Sequence, residues 1–326
     1  MRYLVLISCS FLLMAFNFEV RSKESNDTSI IVYDDICVYN NGTHAAFTSL
    51  EEYKGKLYLA FREAGHHIAS SSDKGRIRVL IKSTNGWKTD NVFGIEGVDL
   101  RDPHMLKWKD KLLLYTSGYC SELTDKGWKE LKKTQHDASH PLYIWKVRAF
   151  NDELYGIGNR YDKWPKLLKS NDGINWNVID EYKLGGYASE ADLCFIEDSL
   201  FICFRVDNPV GSNSLWGVSI YPFRYTEWRV MDVSIASPEM MADTSGTIYL
   251  AGREYAFNRE GLEDSINVSL FSVGRGGRIK REEVFETGQF GDKGYPSFAK
   301  YKGELYMSYY TGKTDRTQVH LVKIMK

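Results

Sequence analysis

One small unit recurs six times along the sequence: an apolar strand, a tight polar turn and a second strand rich in aromatic and branched residues. The copies occupy residues 47–62, 105–115, 147–155, 193–205, 240–253 and 298–309. Two such strands around a turn containing Gly, Asn or Asp predict a β-hairpin. A return every 40 to 60 residues or so, roughly the length of one blade, is typical of a β-propeller. The sequence therefore predicts an all-β chain that folds as a six-bladed β-propeller.

The segments between the hairpins are expected to supply the rest of each blade. Residues 76–82, 215–221 and 266–272 alternate apolar and polar side chains at strand period. A further strand pattern over residues 29–39 precedes the first hairpin, whereas only residues 318–325 follow the last one. We therefore expect the N-terminal strand to complete the last blade, because a closed ring leaves no open sheet edge.

The start of the chain has the composition of a signal peptide, residues 1–22. Arg2 precedes an apolar run over residues 3–18, and the small residue Ser22 follows it. We expect cleavage near Ser22 and export to the periplasm or out of the cell. No linker or change of composition divides residues 23–326, which are expected to form a single catalytic domain. No later apolar run is long enough to span a bilayer.

Charge and composition narrow the choice of partner. The 326 residues include 42 Lys and Arg against 43 Asp and Glu, a net charge of -1 at pH 7. Without a basic excess, no nucleic-acid partner is expected. The aromatic content of 14% suits the core of one large domain, which we expect to be a monomer.

A seven-residue motif, Ser-Asn-Asp-Gly-Ile-Asn-Trp, occupies residues 170–176. Its aspartate is suited to cap backbone amides, and its tryptophan to pack under the turn. Residues 83–87 and 124–128 are weaker copies. The motif resembles the Asp-box of the sialidase-type propellers, also called BNR-repeat propellers. In that superfamily the box lies on the outer rim, so the resemblance implies architecture and not chemistry.

The resemblance to sialidases extends over most of the mature chain. Residues 59–63, Leu-Ala-Phe-Arg-Glu, lead to Asp73 in the order in which a sialidase presents its acid/base aspartate. Arg205 follows Glu190 as a carboxylate-binding arginine follows a glutamate in the family. Residues 294–297, Gly-Tyr-Pro-Ser, match the start of the family's last blade. The resemblance implies roles as follows: Asp73 as acid/base, Tyr295 as nucleophile, Glu190 as the group that polarises it and Arg205 as a substrate ligand.

The first blade departs from the sialidase pattern. Where that family has Arg-Ile-Pro, whose arginine is one of three that hold the substrate carboxylate, residues 44–47 are His-Ala-Ala-Phe. The third arginine has two candidates, Arg253 and Arg259, and the spacing leaves both open. An imidazole at His44 argues against sialic acid, while an anionic sugar still suits the remaining arginines.

An imidazole beside arginines and a tyrosine suits another reaction of acidic sugars. The proton next to the carboxylate of a uronic acid is weakly acidic, so a base removes it while arginines neutralise the developing charge. A second group then protonates the departing oxygen. We predict that His44 and Tyr295 form this pair, in either order, with Arg205 and Arg253 on the carboxylate. This β-elimination, by a lyase or a dehydratase, requires no metal and no cofactor.

Further polar residues are concentrated in the first two predicted blades. Residues 99–104, Asp-Leu-Arg-Asp-Pro-His, open the second blade, where inner strands face the central mouth. Arg62, Arg101 and Asp102 are therefore candidate substrate ligands. An Arg–Asp pair at a strand start is as often a structural ion pair, and the loop histidines at 66–67 are more often solvated than catalytic.

Four short motifs also occur together in a group of sialidase-like propeller proteins: residues 44–47, 61–63, 99–103 and 308–310. This group resembles the exported enzymes that degrade ulvan, a sulfated polysaccharide of rhamnose and uronic acid. The resemblance implies β-elimination on an acidic, ulvan-like oligosaccharide, with an unsaturated uronic acid formed at the non-reducing end. The alternatives are a retaining exo-glycosidase of sialidase type and a carbohydrate-binding propeller without turnover.

Overall fold

The structure, a computed structural model, describes residues 31–160, 163–184, 187–207, 212–257, 263–286 and 291–325. Within these ranges 26 strands form six sheets, the blades of a β-propeller, which confirms the predicted fold class. The signal-peptide prediction and the candidate Arg259 lie outside the described residues. In the described part of the chain, no helix has the length and apolar character needed to cross a membrane.

The described chain begins with β1 (Ile31–Tyr39). Blade 1 consists of β2 (His44–Tyr53), β3 (Lys56–Ala64), β4 (Arg76–Ser83) and β5 (Gly86–Phe93). Blade 2 consists of β6 (His104–Trp108), β7 (Lys111–Thr116), β8 (Tyr119–Thr124), β9 (Gly127–Trp128) and β10 (Lys132–Lys133). Blade 3 consists of β11 (Gln135–His136), β12 (Tyr143–Phe150), β13 (Glu153–Arg160), β14 (Lys163–Ser170) and β15 (Asn175–Glu181).

Blade 4 consists of β16 (Ala188–Ile196), β17 (Ser199–Val206), β18 (Ser212–Ile220) and β19 (Thr226–Val230). Blade 5 consists of β20 (Ser234–Ala242), β21 (Ile248–Phe257), β22 (Glu263–Val273) and β23 (Ile279–Glu286). Blade 6 consists of β24 (Asp292–Tyr301), β25 (Glu304–Lys313), β26 (Arg316–Met325) and β1. β1 pairs with β26 from Ile31 opposite Met325 to Tyr39 opposite Val319, so the predicted closure by the N-terminal strand is confirmed.

The six predicted hairpins are the first two long strands of the six blades. Several of their turns have two residues at positive φ, as in Lys54-Gly55 and Lys302-Gly303, which is the type I′ geometry that matches strand twist. The inner strands β2 and β3 are buried almost throughout, because a neighbouring blade packs on each face. The rim strand β5 is mostly exposed. The core therefore lies between the inner hairpins.

The inner strands bend where they reach the central mouth. Four of them place a non-glycine residue in the left-handed region there: Phe47 (φ 60°), Asp102 (φ 47°), Ser237 (φ 47°) and Tyr295 (φ 46°). In blades 1, 5 and 6 this residue belongs to a β-bulge, which re-aims a side chain. Such backbone persists only where its surroundings hold it.

Hydrogen bonds between blades hold these bends. Thr48 Oγ1 donates to the carbonyl of Tyr295 at 2.7 Å, and the N–H of Tyr295 donates to Ser237 Oγ at 3.1 Å. The N–H of Ser237 in turn donates to Glu190 Oε2 at 2.5 Å. The backbone that aims Tyr295 is therefore fixed by blades 1, 4 and 5.

A buried ion network joins blades 3, 4 and 5 one step further along the inner strands. Arg148 Nη2 contacts Asp192 Oδ2 at 2.6 Å and Glu239 Oε1 at 3.3 Å, and Lys146 Nζ contacts Glu239 Oε2 at 2.8 Å. The side chains of the two acids are 0% and 2% exposed. Although burial alone would raise the pKa of Glu239, the charges of Lys146 and Arg148 lower it to about 2.

The Asp-box at residues 170–176 has the expected geometry. Asp172 Oδ1 accepts hydrogen bonds from the N–H groups of Ile174 at 2.8 Å and Asn175 at 2.7 Å, and Trp176 is buried beneath the turn. The turn joins β14 to β15, the outer strands of blade 3. It lies on the rim, as the resemblance implies.

We expect Asp172→Ala to lower the free energy of unfolding by about 1–2 kcal/mol, because several turn donors lose their acceptor. Burial alone would raise the pKa of Asp172, but these hydrogen bonds outweigh burial and lower the pKa from 3.8 to about 2. The stabilisation is therefore complete above pH 3.8 and is lost as the pH falls towards 2. Denaturant unfolding at pH 7 and pH 2.5 measures both effects. Asp125→Ala is the control, in the weaker copy of the motif on blade 2. Because Asp125 is exposed, this change should alter neither the free energy of unfolding nor its pH dependence.

Candidate active site

Tyr295, Glu190 and Arg205 meet at the central mouth. The phenol of Tyr295, on the bulge of β24, donates a hydrogen bond to Glu190 Oε1 of β16. Arg205 Nη1, on the neighbouring strand β17, lies 3.1 Å from Glu190 Oε2. Three residues that the sequence singled out, two on blade 4 and one on blade 6, are thus in contact through Glu190.

The surroundings shift the pKa values of Glu190 and Tyr295 in opposite directions. Burial alone would raise the pKa of Glu190, but the charge of Arg205 and the hydrogen bond from Tyr295 outweigh it and keep the pKa below its ordinary value. Burial and the charge of Glu190 raise the pKa of Tyr295 well above its ordinary value. At neutral pH the pair is therefore a neutral phenol beside a carboxylate.

Three partly exposed guanidinium groups surround the phenol. Arg101, Arg205 and Arg253 have side chains that are 28%, 21% and 13% exposed. Arg253 lies 6.0 Å from the centre of the Tyr295 ring, Arg205 binds the Glu190 carboxylate that accepts from the phenol, and Arg101 lines the same cavity as Tyr295. The mouth is therefore suited to neutralise an anion bound beside Tyr295.

Arg62 belongs to the wall behind this surface. Its side chain is fully buried and donates to Asp99 Oδ1 from Nε at 3.0 Å and from Nη2 at 2.8 Å. Gly75 lies against this ion pair, where a Cβ atom would overlap both side chains. A buried Arg62 supports the mouth through Asp99, to which Arg101 also binds, and does not contact a ligand in this geometry.

His44 is also fully buried. Its Nε2 lies 2.7 Å from Asp292 Oδ2, and Arg62 Nη1 lies 3.5 Å from its Nδ1. Burial lowers the pKa of His44 despite the carboxylate beside it. The structure therefore separates His44 from the cavity, and its effect on a bound sugar passes through Asp292.

Asp292 is the most connected carboxylate of the site. Its Oδ2 accepts from His44 and from His67 Nδ1, and its Oδ1 accepts from Arg253 Nη2 at 3.0 Å and Tyr310 Oη at 2.6 Å. Although burial opposes it, these partners hold the pKa of Asp292 far below its ordinary value. Arg253 is thereby fixed next to Tyr295 and is the candidate third arginine that the structure describes.

His44, His67 and Asp292 together offer three ligand atoms within 4.8 Å of one another. Such a set has the chemistry of a divalent-metal site. Here, however, guanidinium groups approach all three residues: Arg62 approaches His44, Arg101 approaches His67 and Arg253 approaches Asp292. These positive charges disfavour a cation, so the cluster fits a hydrogen-bond network better than a metal centre.

Asp73 lies on the same loop as His67, between β3 and β4, and is half-buried. Its Oδ2 accepts a hydrogen bond from the N–H of Gly65 at 2.8 Å. Among the described residues, no hydrogen bond or ion pair joins Asp73 to Tyr295, Glu190 or an arginine. The structure places it at the mouth loop, apart from the contacting pair.

A cavity of about 460 Å³ opens beside Tyr295 and Glu190 towards blades 2 and 3. Its wall includes Arg101, Asp102, Tyr143, Trp145, Asn159 and Ser189. Tyr143 donates to Asp102 Oδ2 at 3.0 Å, while Asp102 Oδ1 has no hydrogen-bond partner among the described residues. Burial raises the pKa of Asp102 to about 6, although Arg101 opposes it. A buried oxygen without a partner is available to a ligand hydroxyl.

Sequence reasoning did not select Asp292, Tyr310 or Ser237 for the site. A signal for Asp292 was present: Asp-x-x-x-Pro occurs at residues 99–103, 137–141 and 292–296. In the first and last copies the leading aspartate binds an arginine of an inner hairpin, Asp99 binding Arg62 and Asp292 binding Arg253. Comparing the blade starts with one another would have found it.

No family model matches the sequence, and no curated protein matches it. Solved structures do resemble the fold. A protein of unknown function from Dyadobacter fermentans DSM 18053 superposes with a TM-score of 0.74 at 15% identity, over 91% of this chain and 100% of that chain. The two proteins share the β-propeller fold.

Two further solved structures share the propeller fold. A Trypanosoma rangeli sialidase in complex with 2,3-difluoro-KDN superposes with a TM-score of 0.63 at 13% identity, over 90% of this propeller and 58% of the sialidase. The GH93 α-L-arabinofuranosidase of Fusarium graminearum, in complex with arabinobiose, also gives 0.63 at 13% identity, over 90% of this propeller and 98% of that enzyme. These identities show a shared fold.

Proposed function

We propose that this propeller is an exported glycoside hydrolase that acts on an acidic sugar at the end of an oligosaccharide, with retention of configuration. One observation carries the proposal: the neutral phenol of Tyr295 is hydrogen-bonded to the Glu190 carboxylate inside a group of three arginines. The shared fold with a sialidase and an arabinofuranosidase also supports activity on a carbohydrate.

The pair suits nucleophilic attack near an anion. A phenol carries no charge before it reacts, so the carboxylate of an acidic sugar repels it less than it would repel a carboxylate nucleophile. As the phenol oxygen attacks the anomeric carbon, Glu190 takes its proton and Arg205 compensates the shift in charge. The glycosidic C–O bond breaks, and the departing oxygen takes a proton from an acid of the mouth. Water then releases the sugar from Tyr295.

The arginines and the cavity are suited to bind different parts of the sugar. Arg101, Arg205 and Arg253 are suited to bind its carboxylate, since guanidinium groups form paired hydrogen bonds with carboxylates. Asp102 lines the cavity and is suited to accept a hydrogen bond from a ring hydroxyl.

A second candidate is β-elimination on a uronic acid, as in an ulvan-like oligosaccharide. The observation that favours it is a partly exposed imidazole, His67, at the same mouth as Tyr295. Base and acid could then be this imidazole and the phenol, with the arginines on the carboxylate. In this chemistry His44, which is fully buried, would position Asp292 and His67 and would not contact the sugar.

Product analysis separates these functions. The purified protein is incubated with sialylated, glucuronate-terminated and ulvan-derived oligosaccharides in water enriched in oxygen-18. Hydrolysis is expected to add one labelled oxygen at the anomeric carbon, with the configuration retained by NMR. Elimination adds no label and forms a conjugated double bond that absorbs in the near ultraviolet. Binding without any product, in all three substrates, would overturn the enzyme proposal in favour of a binding module.

A further inference from the structure

We propose that His67, held by Asp292, is the acid and base of this mouth: it protonates the departing sugar oxygen and later deprotonates the attacking water. The inference rests on the hydrolase function proposed above and adds a catalytic residue to it. It moves this role away from Asp73, the residue that the sialidase resemblance implies.

The position of His67 fits proton transfer. Its side chain is 30% exposed, whereas the neighbouring imidazole of His44 is fully buried. Its Nδ1 is hydrogen-bonded to Asp292 Oδ2, which leaves Nε2 for proton exchange. That Nε2 lies 3.4 Å from Arg101 Nη2, and Arg101 lines the cavity beside Tyr295. The exchangeable nitrogen therefore lies behind Arg101 at the cavity wall, and proton transfer to a sugar requires this guanidinium to turn from Nε2 towards the sugar.

The ring is anchored to the blade that carries the nucleophile. Asp292 and Tyr295 are three residues apart on β24, and the N–H of His67 donates to the carbonyl of Thr314 of the same blade at 3.1 Å. Asp292 is itself fixed by His44, Arg253 and Tyr310. A carboxylate bound to Nδ1 sets the tautomer and stabilises the imidazolium that forms when Nε2 takes a proton.

Phe47 sets the spacing between the acid and the nucleophile. Its ring centroid lies 5.3 Å from that of His67 and 4.6 Å from that of Tyr295. The two groups therefore pack against the same buried aromatic ring. Displacement at an anomeric carbon with retention requires the nucleophile and the acid to be held at a short, fixed separation.

Asp73 already has a structural partner in this geometry. Its carboxylate closes the loop by accepting from the N–H of Gly65 at 2.8 Å, and its own N–H donates to Ser70 Oγ at 3.0 Å. This loop carries His67. Asp73 is thus suited to shape the segment that presents the imidazole.

The two half-reactions balance. In the first, the C–O bond to the leaving group breaks as the Tyr295 C–O bond forms; Glu190 takes the phenol proton and His67 Nε2 gives its proton to the leaving oxygen. In the second, Nε2 takes a proton from water, whose oxygen binds the anomeric carbon. The phenolate leaves and regains its proton from Glu190.

The test compares His67→Asn, Asp73→Asn and the control His66→Asn, which changes the adjacent exposed histidine. Probes are the phenyl and 2,4-dinitrophenyl glycosides of N-acetylneuraminic acid and glucuronic acid. We expect His67→Asn to lose about 10²–10⁴-fold in kcat/KM on the phenyl glycoside, whose leaving group needs a proton, and less than about 10-fold in kcat/KM on the dinitrophenyl glycoside. On the dinitrophenyl glycoside, where release of the sugar by water then limits kcat, azide attacks without a base and should raise kcat and yield the glycosyl azide. His66→Asn should match the wild type.

Other results would overturn the inference. Equal losses on both glycosides, without rescue by azide, would make His67 structural. The leaving-group pattern and azide rescue appearing in Asp73→Asn would return the role to Asp73. Loss of wild-type turnover on chelation, with recovery on adding Zn²⁺, would make the cluster a metal site. If wild-type protein hydrolyses neither glycoside of either sugar and no fluoro-sugar labels Tyr295, the proposed function fails first.

Discussion

Replacing Tyr295 by phenylalanine is expected to lower turnover of an acidic oligosaccharide at least about 10³-fold, a loss of ~4 kcal/mol of transition-state stabilisation. In the proposed mechanism the phenol oxygen is the atom that bonds to the sugar, and phenylalanine supplies no substitute. The fold should survive, because Glu190 keeps Arg205 and the N–H of Ser237 as partners. The measurement is product formation by mass spectrometry, with thermal unfolding in parallel.

Binding distinguishes this loss from damage to the site. Calorimetric titration of Tyr295→Phe with the intact oligosaccharide should give an affinity within a few-fold of the wild type, because the three arginines are unchanged. Tyr306→Phe is the matched control, since it removes a phenol of the same blade that bonds to Glu304. It should retain full turnover. If Tyr295→Phe kept a tenth of the wild-type rate, Tyr295 would not be the nucleophile.

Arg148→Met is expected to lower the free energy of unfolding by about 3 kcal/mol or more, because it leaves Asp192 and Glu239 with less compensation in a buried place. For a chain of this size that corresponds to a fall in Tm of about 5 °C. Arg148 also donates to the carbonyl of Leu193 at 3.2 Å, so blades 3 and 4 lose a link. Scanning calorimetry and denaturant unfolding measure the change.

A surface arginine provides the control for this effect. Arg275 lies 3.5 Å from Glu197, but both side chains are more than half exposed, so Arg275→Met should change the free energy of unfolding by less than about 1 kcal/mol. Adding Asp192→Asn to Arg148→Met removes the uncompensated charge and should recover part of the loss. Equal stability of Arg148→Met and Arg275→Met would show that the network contributes nothing.

Much of the fold could be predicted because hairpins are local. The turn residues Lys54-Gly55 and Lys302-Gly303 each join two strands that follow one another in the sequence. Glycine readily adopts the positive φ angle that these turns require. The short strands escaped prediction. Residues 135–136 pair in parallel with residues 175–176. Tertiary packing sets this contact, and the sequence does not reveal it because these polar residues show no apolar–polar alternation.

The site was predictable only in part. Glu190, Arg205 and Tyr295 could be found because each matches the sialidase resemblance in order and spacing, and the structure brings them into contact. Burial was not visible in the sequence. His44 and Arg62 alternate with apolar residues like many inner-strand positions, and only the packing of blades 1 and 6 puts both out of reach of solvent.

His67 is a residue whose engagement in the site could not be predicted from the sequence. On sequence grounds a histidine in a polar loop is more often solvated than engaged. Its contact with Asp292 spans 225 positions of the chain, and no local pattern reports such a pairing. Asp292 itself follows residues 287–290, outside the described part, and was detectable only by comparing blade starts.

Blade 6 takes β1 from the beginning of the chain and its other strands from the end. The hydrogen bond between Thr48 and Tyr295 joins residues 247 positions apart, so it forms only after the chain as far as β24 has been made. Contacts this distant in sequence are slow to form. Tyr295, the proposed nucleophile, therefore acquires its neighbours late in folding, and a nascent chain that lacks β24 carries the other residues without an assembled site.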